Sequence, residues 1–230
     1  MDTGFATRIE DVSRGPCICA PPQTRPPPPR PSGQHLHVAA DRDRLPRDGA
    51  GAVAGQIQDL IGDLARDGIR AITLGDTRWK RRDMKTVQLL SQALAYRAAR
   101  QEGAETAFMI EDGLVTEAAS ANAWIVDADG KLITRELSHA ILPGITRAGI
   151  VSLLKKEGLE VVERAFTPEE AVSAREVFTT SSGAIVAPVV AIDGKPVGDG
   201  RPGPVTRRVQ RLYYEAMGAD VAAVAPWALG

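Results

Sequence analysis

Cysteine is almost absent from this chain, and its two copies, Cys17 and Cys19, stand one residue apart. That spacing builds neither a disulfide framework nor a zinc site. Histidine is nearly as scarce. Of the 3 present, His35 and His37 lie two apart with no further ligands beside them, which makes a poor metal site. Net charge is missing too: 28 basic against 29 acidic side chains leave a formal charge of -1. The chain therefore has no electrostatic basis for holding nucleic acid or an anionic membrane. No apolar run approaches the ~20 residues that a spanning helix needs, and no signal-peptide-like apolar region opens the sequence. These absences lead to the expectation of a cytoplasmic protein with no structural disulfide, no metal, and neither nucleic acid nor membrane as partner.

What is present is an ordinary globular composition, 43% hydrophobic and 25% charged over 230 residues. That length suffices for one large core or two modest ones. The first fifty residues stand apart. Nine of the 16 prolines fall there, including Arg25-Pro26-Pro27-Pro28-Pro29-Arg30-Pro31, and apolar periodicity is lacking. Such a stretch buries too little apolar surface to offset its ordering entropy. Residues 1–50 are expected to be a disordered Pro/Arg-rich segment, a linker or tail rather than a groove-binding ligand.

Periodicity begins near Ala50. Val53, Ile57, Leu60, Ile61 and Leu64 have helical spacing, with Asp67-Gly68 as the stop, and Ile69 to Leu74 reads as a strand. Val87, Leu90, Leu94 and Ala98 mark the apolar face of a helix that starts near Lys85 and ends at Gly103. Strands follow at 106–110 and 114–117 around Glu111-Asp112-Gly113, then at 123–126 and 131–134 around Asp127-Ala128-Asp129-Gly130. Beyond them the pattern predicts a helix over 146–157 and a strand over 159–162. A capping box at Thr167-Pro168-Glu169-Glu170 comes next, then strands over 177–180 and 186–192, and a helix over 204–216. This is a mixed α/β (α+β) pattern with one core from about 68 to 216.

Four places carry polar residues that packing alone does not require. Lys85 follows Arg78, Lys80, Arg81 and Arg82. A lysine is most often a solvated charge, and it becomes a nucleophile toward aldehydes only where burial or a nearby cation removes its proton. The four basic residues are expected to supply that positive field. Glu117 stands in Val115-Thr116-Glu117-Ala118-Ala119-Ser120-Ala121-Asn122, where small residues let backbone approach closely, although a solvated carboxylate beside a turn is the plainer reading. Leu142-Pro143-Gly144-Ile145-Thr146-Arg147 leads into a helix whose free N–H groups suit an anion, or are simply capped by Thr146. Thr179-Thr180-Ser181-Ser182-Gly183 places four hydroxyls after a strand, which suits phosphate or an ordinary turn. Together, a lysine amine, a carboxylate and two phosphate-friendly loops are the set that a pyridoxal phosphate site requires.

From Ile69 to Tyr214 the chain resembles the fold-type IV pyridoxal phosphate transaminases, which include D-amino acid transaminase, branched-chain amino acid transaminase and aminodeoxychorismate lyase. The resemblance rests on four stretches in family order. They are Arg78-Trp79-Lys80-Arg81-Arg82-Asp83-Met84-Lys85, Leu114-Val115-Thr116-Glu117 with Ser120 and Asn122, Pro143-Gly144-Ile145-Thr146-Arg147, and Asp199-Gly200-Arg201-Pro202-Gly203-Pro204-Val205-Thr206. It implies that Lys85 holds the cofactor aldehyde as an imine and moves the substrate proton. It implies further that Glu117 pairs with the ring nitrogen, that Leu142 packs on the ring face, that Ile145, Thr146 and Ser182 bind phosphate, and that Ser181 lies beside cofactor and substrate. A homodimer acting on an amino acid and a 2-oxo acid is implied as well, with D-alanine or another D-amino acid favoured. Branched-chain L-amino acids and the lyase reaction stay open as alternatives.

The resemblance fails ahead of the lysine. Relatives carry a complete small N-terminal α/β domain there, with an arginine for the cofactor phosphate and groups that receive the substrate carboxylate. Here 84 residues precede Lys85, and the first fifty do not resemble that domain. The expected organisation is a low-complexity segment at 1–50, a remnant of the small domain with its connection at 51–84, a cofactor-binding domain at 85–217 and a tail at 218–230. An out-of-frame or misassigned start in a GC-rich gene is the expected cause, to be checked in the nucleotide sequence. The competing expectation is a truncated, inactive remnant.

Overall fold

The computed structural model describes residues 62–229. The Pro/Arg-rich segment, the cysteines, His35, His37 and most of the helix expected over 53–64 lie outside the described residues. Residues 62–67 are helical (α1), and Gly68, at φ +84°, ends that helix.

Among the described residues nine strands form one mixed sheet: β1 (Ile69–Gly75), β2 (Thr106–Glu111), β3 (Leu114–Ala118), β4 (Asn122–Val126), β5 (Leu132–Thr134), β6 (Val161–Glu163), β7 (Glu176–Ser181), β8 (Ile185–Ile192) and β9 (Lys195–Pro196). Their order is β3-β2-β1-β8-β7-β4-β5-β6, with β9 on β8. β1 runs parallel to both β2 and β8, and β5 runs parallel to β6, while the other pairs are antiparallel. The helices are α2 (Leu90–Gln101), α3 (Ile145–Lys156), α4 (Pro168–Ser173), α5 (Pro204–Ala216) and α6 (Val221–Val224). No helix among the described residues is long and apolar enough to cross a membrane.

The two-residue period of a strand divides the core. In β4, Ala123 and Ile125 face a cluster that also holds Phe108, Val115, Ile133, Phe166, Val177 and Val189. Trp124 and Val126 face the other way, against Ile150 and Leu154 of α3 and Val209 of α5. Phe178 of β7 stacks on Trp124 with ring centroids 5.4 Å apart. The first cluster draws residues from strands at both ends of the sheet. The outer edge of β3 is met by the segment after β6, where Val115 N donates to Phe166 O at 2.9 Å. The sheet thus wraps around this cluster.

The capping box forms as expected. Thr167 Oγ1 accepts from Glu170 N at 3.1 Å, and Thr167 N donates to Glu170 Oε2 at 2.9 Å. The helix before Gly103 departs from expectation. It starts at Leu90, so Lys85 stands on a non-helical segment ahead of it. The expected apolar face is turned outward, with Val87 97%, Leu90 65% and Leu94 53% exposed. The helix instead buries Ala95 and Ala99 against Ile72, Ala107 and Met109 of β1 and β2. Small side chains let helix and sheet approach closely.

The stretch Asp199 to Thr206 has a structural task. Gly203 and Pro204 open α5 without a side-chain cap of their own. The cap comes from β7: Glu176 accepts from Val205 N at 2.9 Å, and from Thr206 N and Thr206 Oγ1 at 2.7 Å each. A Cβ on Gly203 would fall 2.2 Å from Glu176 Cδ, so only glycine admits this carboxylate. Glu176→Ala should cost about 2–3 kcal/mol, the sum expected for a lost charge-assisted cap, read as a lower urea midpoint at unchanged slope. Gly203→Ala should destabilise through the same contact.

Candidate active site

One cavity of about 870 Å³ gathers Lys85, Glu117, Leu142, Ile145, Thr146, Ser181 and Ser182, all seven residues singled out from the sequence. They arrive from four directions. Lys85 lies on the segment between β1 and α2, Glu117 near the end of β3, Leu142 to Thr146 at the entry to α3, and Ser181 and Ser182 where β7 turns into β8. The lysine segment is pinned to the loop before α3, since Arg82 N donates to His139 O at 3.0 Å and Asp83 Oδ1 lies 3.2 Å from His139 Nδ1.

Glu117 is buried, and both of its oxygens are partnered. Its Oε2 accepts from Leu142 N at 3.1 Å and from Asn122 Nδ2 at 3.2 Å, while Oε1 takes the Arg78 guanidinium. Asn122 also donates to Leu142 O at 2.9 Å. It therefore joins the carboxylate to the entry of α3. Gly144 is needed there, because a Cβ would sit 2.2 Å from Asn122 Oδ1. Burial raises the Glu117 carboxyl above its ordinary range, and the charge and hydrogen bond of Arg78 oppose that rise.

The basic run before Lys85 does not act as the free positive field expected of it. Arg78 pairs with Asp76 and Glu117, Lys80 with Glu111, Arg81 with Asp83, and Arg82 with Glu111. Arg82 Nε also lies 3.1 Å from Asp76 Oδ2, a charge contact without hydrogen-bond alignment. Each cation has a carboxylate neighbour, so its field is largely cancelled before it reaches the amine. Asp76, Arg78 and the clamping role of Asn122 were missed as site residues. Asp76 comes just before the motif, and nothing local distinguishes Arg78 from its solvated neighbours.

The group that a lysine, a buried carboxylate and an open helix start would hold is a phosphorylated pyridine aldehyde, and these residues fit it. Gly144 caps α3 with no side-chain bond, so the first N–H groups of that helix face the cavity beside Thr146 and the hydroxyls of Ser181 and Ser182. Ser181 Oγ already accepts from Ala184 N at 3.1 Å and keeps its proton to donate. The exposed Ser182 leaves its hydroxyl to the cavity.

Comparison with known proteins agrees with this chemistry. Residues 59–192 match the family model of amino-transferase class IV. The chain belongs to the class IV aminotransferases. It is 38% identical over 157 residues to the D-alanine aminotransferase of Bacillus licheniformis, covering 68% of this chain and 55% of that enzyme. It is 41% identical over 151 residues to the one from Staphylococcus haemolyticus, covering 66% and 53%. Among solved structures, the T.th. branched-chain amino acid aminotransferase complexed with N-(5'-phosphopyridoxyl)-L-glutamate superposes with TM-score 0.61 at 34% identity, over 66% of this chain and 52% of that one. The Escherichia coli branched-chain enzyme gives TM-score 0.59 at 33% identity, over 66% and 52%. This class IV chain spans about half the length of the curated relatives it matches.

The ion pairs ahead of Lys85 carry a pH dependence. Hydrogen bonds from Arg82 and Lys80 lower Glu111 from 4.5 to about 2, and the bond from Arg81 lowers Asp83 from 3.8 to about 2. Carboxylates depressed in the folded state stabilise it fully above their unfolded values and lose that effect as pH falls through their folded ones. The urea midpoint should therefore drop between about pH 4.5 and pH 2. Glu111→Gln should flatten part of that drop. An unaltered acid profile in the variant would count against the clamp.

Proposed function

We propose that this protein is a pyridoxal phosphate-dependent aminotransferase that exchanges an amino group between a D-amino acid, D-alanine foremost, and a 2-oxo acid. The carrying observation is that an amine, a buried carboxylate and an uncapped helix start line a single cavity. The substrate preference is supported by the D-alanine aminotransferases that the chain resembles. Branched-chain L-amino acids are the second reading, favoured by the similarity to branched-chain aminotransferase structures.

When bound, the cofactor supplies an electron-accepting ring that makes the substrate Cα–H acidic. The chain's residues do the rest. Lys85 would hold the cofactor by its aldehyde, with release of water, and its free amine would then carry the proton taken from the substrate Cα, as base and then as acid. Glu117 would keep a proton on the ring nitrogen. Leu142 would pack on the ring face, and the backbone at Ile145, with Thr146 and Ser182, would bind the phosphate. Ser181 would lie beside cofactor and substrate.

A homodimer is part of the proposal. Trp79, Met84, Val87, Leu89, Leu90 and Leu94 form a run of large exposed apolar side chains around the lysine segment, a surface suited to a second copy.

Protein mixed with pyridoxal phosphate should develop visible absorbance that borohydride bleaches, leaving the cofactor's mass on Lys85. Lys85→Ala should show neither. Amino transfer to pyruvate or 2-oxoglutarate should be faster from D-alanine than from L-leucine, and the reverse order would install the branched-chain reading. Colourless, inactive wild type would instead mark a remnant without turnover. Light scattering should give a dimer that Leu94→Glu weakens.

A further inference from the structure

Arg78 is spent almost entirely on two carboxylates. Its Nε and Nη2 reach the two oxygens of Asp76 at 2.9 and 2.6 Å, its Nη1 reaches Glu117, and Nη2 also lies 3.2 Å from Thr116 Oγ1. The side chains are deeply buried: 7% of Arg78, 5% of Glu117 and none of Asp76 is exposed. Asp76 is itself anchored, with its N–H on Ile110 O at 2.8 Å and its Oδ2 2.7 Å from Thr116 Oγ1. With four of its five N–H donors directed at protein groups, Arg78 is not free to receive a substrate carboxylate.

We propose that Arg78 is a positioning residue that keeps Glu117 ionised and aimed into the cavity, with Asp76 as the buttress that fixes Arg78. The proposal rests on the reading above, in which Glu117 meets the ring nitrogen of the cofactor. Asp76, Arg78 and Glu117 are held by a second buried guanidinium, since Arg82 lies against Asp76 as well as Glu111. Of the cations in this network, Arg78 is the one that touches Glu117.

The groups facing Glu117 leave no other source of this effect. From the segment after β1 come Arg78 and Asp76. From β4 comes the neutral amide of Asn122, and from the loop before α3 the Leu142 N–H. Lys85 lines the cavity but forms no ion pair with Glu117. A buried carboxylate without a cation takes up a proton. Protonated, Glu117 offers a neutral acid to the ring and loses its hold on a protonated nitrogen. Asp76 is a second anion that raises the Glu117 carboxyl further, and Arg78 stands between the two carboxylates.

The test uses cofactor-free protein with ¹³C-labelled glutamate carboxyls, the Glu117 signal being assigned by its loss in Glu117→Gln. In the wild type Glu117 should be ionised at neutral pH. In Arg78→Met, or in Arg78→Gln where the apolar side chain prevents folding, its titration midpoint should rise by about 1–3 pH units. Arg78→Lys should bring it back toward the wild type, which a loss of packing alone would not allow. With ¹⁵N-labelled pyridoxal phosphate bound, the ring nitrogen should be protonated in the wild type and in Arg78→Lys, and lose its proton in the neutral variants. A Glu117 midpoint unmoved in a folded neutral variant would overturn the role given to Arg78 while leaving the proposed function intact. Failure of the wild type to bind the cofactor would instead sink the proposed function, and the cofactor-free titration would still decide what Arg78 does to Glu117.

Discussion

A carboxylate taken out of water needs a counter-charge and a full set of donors, and that requirement ties the sheet to the cavity in this protein. Glu117 meets it by drawing on three separate parts of the chain: Arg78 beyond β1, Asn122 at the start of β4 and the backbone of Leu142 ahead of α3. Arg78 brings its own requirement, which Asp76 satisfies. The network therefore fixes the relative placement of the segment leading to Lys85, the end of β3 and the entry to α3. Those are three of the four pieces from which the cavity is made, the β7–β8 turn being the other.

Two helix starts illustrate how differently the same backbone groups can be used. At α5 the free N–H groups are consumed by Glu176, reaching across from β7 past a glycine. That end is closed and serves stability alone. At α3 the residue in the capping position is also a glycine, but here the adjacent side chain is Asn122, which turns its amide toward Leu142 and Glu117. No carboxylate occupies the helix start, so its partial positive charge is left facing the cavity. One protein thus contains both a satisfied helix terminus and one kept open, and the open one is the one beside Lys85.

The parts of this architecture written in local pattern could be read without the structure. The strands over 123–126 and 177–180, the glycine after 67 and the capping box at Thr167 each depend on neighbours a few residues away. The seven cavity residues were legible for another reason: Lys85, Glu117, Ile145 and Thr146 stand in motifs shared with a family, and the same resemblance implied roles for Leu142, Ser181 and Ser182. What escaped depended on distance. The contact of Arg78 with Glu117 spans 39 positions, and nothing around Arg78 tells it apart from Lys80 or Arg81, which stay exposed. The α2 face was misjudged because periodicity reports that a helix has an apolar side, not which surface will receive it. Here the receiving surface of β1 and β2 accepts alanine.

That choice of alanine has a cost. Full burial of a leucine or valine contributes about 1.5–3 kcal/mol, and α2 and its approach leave Val87, Leu89, Leu90 and Leu94 outside, next to Trp79 and Met84. Summed, the unrealised burial is comparable with the whole net stability of a domain, about 5–15 kcal/mol. The segment between Arg82 and Leu90 has no regular secondary structure, and it is tied down chiefly by ion pairs and one backbone bond to His139. A second copy seated on the apolar run would therefore stabilise the segment that carries Lys85 more than any other part of the fold. With such a partner, association and the placement of the amine would be one equilibrium, because the exposed side chains flank the lysine on both sides.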